Sequence, residues 1–538
     1  MKITKVHIKN YKLFKDREFN LKNTTIIVGN NGVGKSTIIE AIHLALTGYY
    51  HGKSLIRELN QDMFNKECVE EYLASLKTPN KLLPPSIEIS LYFDAVEDWR
   101  GNDNPDGSSA DGFTFVIQFD EEHHKKDYES LIEEDKLASI PIEYYQAFWK
   151  TFAREFNFST TFNNFKGLII DSDNFANNNV YTSRIIKEFF DDDAAIKMSQ
   201  SQRVAFSALF ENETVSAING KISENAELRE KDVSIGVQNV SRTSWETLLS
   251  TNVKGIPFDN VGKGEQCMIK TYLSFVAPKT KNKGIIMIEE PESHLSYSNL
   301  NKILSYIKDK LSDFQIIITT HSSFVLNKLG LDNLLLVSKE NEISFDDLSN
   351  DNVKFFEKRS GYDTLRFLLC EKSILVEGDS DELIVQRAYL DKYGKLPIEN
   401  GIDIITVSLS FLRFLEIAKK LQLTTSIITD NDGNLTAIKD KYKNYEGIEN
   451  ISINYDKKVF NHDDTEISKE KVPNLNTLEP ALLRANSLVV LNKVLGTDYE
   501  NSEDLLHFMI TNKTDVAWKI FKSKDCINYP SYIMDAIS

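Results

Sequence analysis

Two groups of residues in this 538-residue chain have the types and spacing that phosphate chemistry requires. The first is the run Gly29-Asn30-Asn31-Gly32-Val33-Gly34-Lys35-Ser36-Thr37, which fits the pattern of Gly, four residues, Gly-Lys and a hydroxyl in full. Glycines let a backbone wrap a phosphate so that its N–H groups and the N-terminus of the following helix face the anion. In that setting Lys35 reaches the outer phosphates of ATP and Ser36 ligates Mg²⁺. A P-loop needs an acidic partner on a second strand, and GIIMIEEPESHL supplies Glu289 and Glu290 after four apolar residues. Glu289 is placed to help hold the magnesium water shell, where an Asp is more usual. Glu290 is placed to orient or deprotonate the attacking water. His321 ends the apolar run FQIIITTHS as a candidate γ-phosphate sensor. Gln61, in ELNQDMF, is a candidate magnesium sensor, with an ordinary surface glutamine as the competing reading.

The second group lies in the last third. EKSILVEGDSDEL places Glu377 after an apolar run and Asp381 in the first turn of a helix, and TTSIITDNDG ends on Asp430 and Asp432. In a parallel α/β sheet the C-terminal ends of the strands share one edge, so these carboxylates are expected to converge there. Like charges held that close do not stay ionised without a counter-charge. Two Mg²⁺ or Mn²⁺ ions would supply it, and a metal pair suits phosphodiester cleavage.

These residues need an α/β framework to position them. From residue 1 to 93, strand-like segments alternate with helical ones. Residues 94–259 read as an inserted, partly helical region, and regular alternation resumes over 260–345. A polar linker spans 346–370, and a new α/β series runs over 371–538. No repeat or extended heptad pattern is present.

Composition narrows the class further. Hydrophobic content of 41% with 27% charged residues is that of a globular protein, and no apolar run is long enough for a membrane-spanning helix. The start, MKITKVHIKNYKLF, alternates like a strand and lacks a signal-peptide core, so a cytoplasmic protein without membrane contact is expected. The cysteines (Cys68, Cys267, Cys370, Cys526) are scattered, which argues against a zinc cluster or a disulfide framework. A net charge of −17 excludes a surface that is one broad phosphate footprint. Contact with nucleic acid must be local.

The nucleotide motifs resemble the ABC ATPases of the SMC and recombination type. Gly264-Glu265-Gln266, just before a helix, resembles a degenerate ABC signature, with Lys263 where a small residue is common. In that family such a helix end caps the γ-phosphate of a partner subunit. The acidic set resembles the Toprim domain, marked by a Glu after its first strand and D-x-D after its third. The combined layout is similar to OLD (overcoming lysogenization defect) family ATP-dependent endonucleases, including Gabija-type and retron-associated members. The resemblance implies an N-terminal ABC-type ATPase and a C-terminal Rossmann-like Toprim domain. It implies a later metal-site carboxylate at Glu479 and a charge-stabilising Lys513, with Lys519 as the alternative. It further implies double-stranded DNA as substrate, a homodimer or dimer of dimers paired through the Val180–Glu213 run, nucleotide control of cleavage, and a role in anti-phage defence. A companion would be a helicase, or a reverse transcriptase with its RNA–DNA product. Two other readings stand beside it: a recombination or repair ATPase whose Toprim is a docking module, and a primase or topoisomerase.

Overall fold

The computed structural model describes residues 2–50, 53–133, 137–156, 167–171, 190–210, 213–224, 233, 245, 249, 251–276, 284–310, 314–337, 342–344 and 362–538. The chain divides into two compact units. One comprises Met1–His321 with Leu335–Glu342, the other Ser322–Leu334 with Ile343–Ser538.

The first unit holds two sheets. Strands β1 (Ile3–Tyr11), β2 (Phe14–Asn20) and β3 (Thr24–Val28) lead into helix α1 (Lys35–Thr47), and β4 (Ile87–Phe93), β5 (Ala110–Phe119), β6 (Tyr145–Thr151) and β7 (Gly167–Asp171) follow. Helix α2 (Lys263–Val276), β8 (Ile285–Glu289), helix α3 (Tyr297–Lys310), β9 (Gln315–Thr319) and β10 (Leu334–Val337) complete the set used here. One sheet runs β2-β1-β4-β5 with β6 on the far side of β5, and all its pairings are antiparallel. The other runs β7-β8-β9-β3-β10. Its β7-β8, β8-β9 and β9-β3 pairs are parallel.

The sequence explains this division. TTIIV, IIMIE and QIIIT are dominated by β-branched residues with an apolar centre, and β3 and β9 are buried at every position, as strands covered on both faces must be. Gln315 ties the sheets together: its amide donates to the Ile3 and Lys22 carbonyls, and its oxygen accepts the Ile3 N–H at 2.7 Å.

The region read as an insertion over 94–259 contributes to this framework. β5 and β6 extend the antiparallel sheet and β7 pairs with the acidic strand β8. The period-two signal fails in β5 because ADGFTFVIQF is buried on both faces over most of its length. Of the Val180–Glu213 run, residues 180–189 and 211–212 lie outside the described residues. Asp192–Phe210 is a helix on which Ile196 and Val204 are exposed.

In the second unit, β11 (Lys372–Val376), α4 (Asp379–Tyr393), β12 (Ile402–Thr406), α5 (Phe411–Leu421), β13 (Thr424–Ile428) and β14 (Ile451–Asn454) alternate. The sheet order is β12-β11-β13-β14, parallel throughout. Helices α6 (Leu478–Ala485), α7 (Lys513–Lys522) and α8 (Ser531–Ala536) share a core with β11, α4 and β13, through residues such as Val376, Ile384, Ile428, Leu482 and Val516. Among the described residues no helix is long and apolar enough to cross a membrane.

Candidate functional sites

The nucleotide loop occupies the turn between β3 and α1. Gly32 and Gly34 have φ of 76° and 100°, values a side chain rarely tolerates. A Cβ on Gly34 would overlap the Phe14 ring, and one on Gly29 would overlap the Val337 carbonyl. The loop therefore follows a path that only glycine permits. Lys35 is buried, and its ammonium donates to the Gly29 and Asn30 carbonyls at 3.0 Å each. Burial lowers the Lys35 pKa, opposed by Glu290 and Glu292. Asn30, Asn31, Gly32 and Ser36 are exposed beside it, whereas the Val33 side chain is buried in the core.

β9 lies between the P-loop strand and the acidic strand. Glu289 ends β8, and Glu290 follows with φ 41°, its N–H bonded to the Thr319 carbonyl at 3.0 Å. The His321 Nε2 stands 3.5 Å from Glu290 Oε1. Burial, then Lys35, lowers the His321 pKa, and Glu290 and Glu292 oppose the shift. The structure thus gathers Lys35, Glu290 and His321 around the P-loop. Two other candidates are engaged elsewhere. The Gln61 oxygen accepts the Ile140 N–H at 3.0 Å. The Gln266 side chain is turned inward, donating to the Phe258 and Val261 carbonyls at 2.6 and 2.9 Å. Gly264 and Glu265 lie in the first turn of α2, where a Cβ on Gly264 would come within 2.8 Å of the His294 carbonyl. Glu292 was not foreseen: its Oε1 accepts from the Thr320 hydroxyl at 2.7 Å and the His321 N–H at 2.8 Å.

In the second unit, Glu377 follows β11 directly and Asp381 lies in the first turn of α4. Asp430 and Asp432 sit in the loop after β13, and Glu479 in the first turn of α6. Burial raises the pKa of Asp430 well above its ordinary value, with further upward contributions from Asp381, Glu377, Glu479 and Asp432. Burial also lifts Asp381 to about 6, against the stabilising Gly378 N–H at 3.0 Å. Glu377 is raised by burial and by Asp432, and Lys441 and Lys513 oppose the shift. The carboxylates are therefore near enough to repel one another inside the protein. Glu479 is only 3% exposed, and Lys513 reaches its Oε2 at 3.4 Å. Lys519 instead donates to the Leu495 carbonyl, so the geometry separates the two lysines.

A ready-made ion cage, as expected from the sequence, is not what the side chains form. Among the described residues no three Asp, Glu, His or Cys groups are arranged to hold a metal ion. The reason is local: Asp381 caps Gly378, Asp432 accepts from Asn474 at 2.9 Å, and Glu479 pairs with Lys513. These three carboxylates are each engaged by a donor of their own chain. The donor chemistry nonetheless fits a hard divalent cation: every group is a carboxylate oxygen, and the shared repulsion is what a cation would relieve.

The loop around them is rigid. Asn431, between the two aspartates, is buried; it donates to the Asp456 and Lys458 carbonyls and accepts the Gly433 N–H. Asp432 takes φ 47° and Gly433 φ 77°. The D-N-D-G run carries a signal for this, since Asn two residues before Gly favours such a turn. Lys441 and Asn474 carry no such signal.

Residues 1–249 match the family model described as AAA ATPase domain. Residues 368–432 match that of the overcoming lysogenization defect protein-like TOPRIM domain. The chain is 24% identical to the "Retron Ec83 probable ATPase" of Escherichia coli over 63% of this chain and 71% of that protein. It is 22% identical to "Endonuclease GajA" of Bacillus cereus over 91% of this chain and 81% of that protein. Among solved structures, the SMC head domain from Thermotoga maritima aligns at 15% identity and a TM-score of 0.31, over 64% of this chain and 100% of that one.

Proposed function

Because the chain joins an AAA-type ATPase domain to an OLD-like Toprim domain, we propose that it is an ATP-regulated, divalent-metal-dependent DNA endonuclease or nickase working in anti-phage defence. The observation that carries this reading is the placement of Glu377, Asp381 and Asp430 just after the paired parallel strands β11 and β13, with Glu479 buried against Lys513. Glu377, Asp381, Asp430, Asp432 and Glu479 would hold Mg²⁺ or Mn²⁺, which when bound supplies an activated water and neutralises charge on the phosphate. Lys513 sits against Glu479 with its side chain half-exposed, and would stabilise the extra negative charge that develops on a phosphodiester. Asn431 keeps Asp430 and Asp432 on one rigid turn.

In the first unit Gly29–Thr37 would hold the triphosphate, with Lys35 at the outer phosphates and Ser36 and Glu289 on the magnesium side. Glu290 would act as the base, and His321, 3.5 Å from it, as the γ-phosphate sensor. The relatives named for an endonuclease and a retron ATPase support a defence setting and DNA as substrate. A homodimer or dimer of dimers, and a companion helicase or reverse transcriptase, belong to the same proposal.

A plasmid-nicking assay with Mg²⁺ or Mn²⁺, with and without ATP, tests it. Glu377→Ala and Asp430→Ala are expected to abolish cleavage while ATP binding persists; cleavage retained in both refutes the assignment. Identical responses to ATP in Lys35→Ala and wild type would refute the coupling.

A second reading draws on the carboxylates' engagement with donors of their own chain. In it the protein is a recombination or repair ATPase whose Toprim domain docks without cutting. Calorimetric titration of the full chain with Mn²⁺ separates the two, because a docking module takes up no ion at these residues.

A further inference from the structure

Glu292 lies in the turn after the acidic strand, within the run GIIMIEEPESHL, where the sequence pattern gives it no role. Its Oε1 accepts two hydrogen bonds from the end of the neighbouring strand, from the Thr320 hydroxyl at 2.7 Å and the His321 N–H at 2.8 Å. Its Oε2 is buried and, among the described residues, has no hydrogen-bond partner. Among the described residues those two donors are the carboxylate's hydrogen bonds, and a buried carboxylate oxygen left without a donor is unfavourable to keep. The turn itself is tight: Ser293 N–H bonds to the Glu290 carbonyl at 2.9 Å and Leu295 N–H to the Glu292 carbonyl at 3.2 Å, with left-handed φ at Glu290 and His294. The backbone of the turn is fixed, and Glu292 passes that rigidity to the residue whose ring faces Glu290.

We infer that Glu292 is the positioning residue of the nucleotide site: its Oε1 holds the Thr320 hydroxyl and the His321 backbone N–H so that the His321 imidazole stands against Glu290. This rests on the nucleotide-hydrolysing reading above. A ring displaced by about 1 Å loses its alignment with the attacking water and γ-phosphate, and such misplacement lowers turnover far more than binding. Glu292 touches neither nucleotide nor water in this role; it acts through His321.

The test is steady-state ATP hydrolysis by the full-length protein, with melting temperature recorded for each variant. Glu292→Ala is expected to lower kcat at least tenfold with KM for ATP within threefold of wild type. Glu292→Gln keeps an oxygen acceptor for both donors and is expected to recover kcat to within about threefold. Thr320→Val removes one of the two donors and should give an intermediate loss, which decides the matter if Glu292→Ala does not fold. Glu292→Ala turning over within twofold of wild type overturns the proposal, and so does Glu292→Gln as slow as Glu292→Ala. Glu290→Gln serves as the control: if wild type hydrolyses ATP no faster than Glu290→Gln, the hydrolysing reading fails and takes this inference with it. If the two differ, any failure belongs to Glu292 alone.

Discussion

Asp381→Asn should stabilise the second unit in chelator and remove its response to Mg²⁺. Asp381 is lifted to about 6 by burial and by Glu479 and Glu377, against an ordinary value of 3.8. A folded-state pKa above the unfolded one means that the folded chain holds its proton to higher pH. Below the ordinary value both states are protonated and nothing is lost. As pH rises from about 4 to about 6 the unfolded carboxylate ionises first, and stability falls throughout that window. Above it the penalty is complete, at roughly 3 kcal/mol for a shift of about two units. The Gly378 N–H to Asp381 bond, at 3.0 Å, is weaker to a neutral amide oxygen, which returns roughly 1 kcal/mol. The net gain at pH 7 is about 2 kcal/mol, or roughly 4–8 °C for a unit of this size. Scanning calorimetry at pH 7 in EDTA, with Trp518 fluorescence reporting on the second unit, measures it. Mg²⁺ at about a hundred times its Kd should raise the wild-type unit by about 2.7 kcal/mol and leave the variant nearly unmoved. Superimposable wild-type curves in Mg²⁺ and EDTA, with Asp381→Asn less stable than wild type, would refute the reasoning.

Two further substitutions probe the sites separately. Gly34→Ala places a side chain at φ 100° and against the Phe14 ring; the strain is about 1–3 kcal/mol, and calorimetric ATP affinity should fall by about tenfold or more. Lys513→Ala should slow plasmid cleavage by about 10²-fold, the size of loss seen when one charge-stabilising donor is removed. Lys519→Ala, whose ammonium is bonded to the Leu495 carbonyl, should cut at the wild-type rate.

Much of this arrangement was legible because chemistry constrains residue types at fixed backbone spacing. A phosphate loop needs its glycines and lysine within nine consecutive residues, and Gly29–Thr37 carries them between β3 and α1. Glu377 and Asp430 could be placed at one edge because strands covered on both faces read as apolar runs and parallel strands end together. The limits came from the same physics. β5 looked like part of an insertion because an aromatic strand buried on both faces has no alternation to detect. The Gln61 and Gln266 candidacies rested on local order, and the structure engages both with backbone groups that no local pattern reveals. Glu292 and Thr320 are 28 positions apart, and their contact exists only once β8 and β9 are paired.

Both sites keep charge where their own chain does not fully answer it. Lys35 is buried among carbonyls with its pKa lowered, and Asp381 and Asp430 repel each other beneath the surface. In a protein selected for stability alone, each would be replaced by a neutral group of similar shape, as buried ion sets tolerate. The ordinary expectation is then that neutral substitutions at these positions raise melting temperature as they remove activity. Surface pairs such as Lys15 with Glu71 have no such property, because water already screens them. Ligand-linked stability is therefore the common signature of the two sites: ATP should stabilise the first unit, a divalent cation the second, and the neutral variants of each should respond to neither.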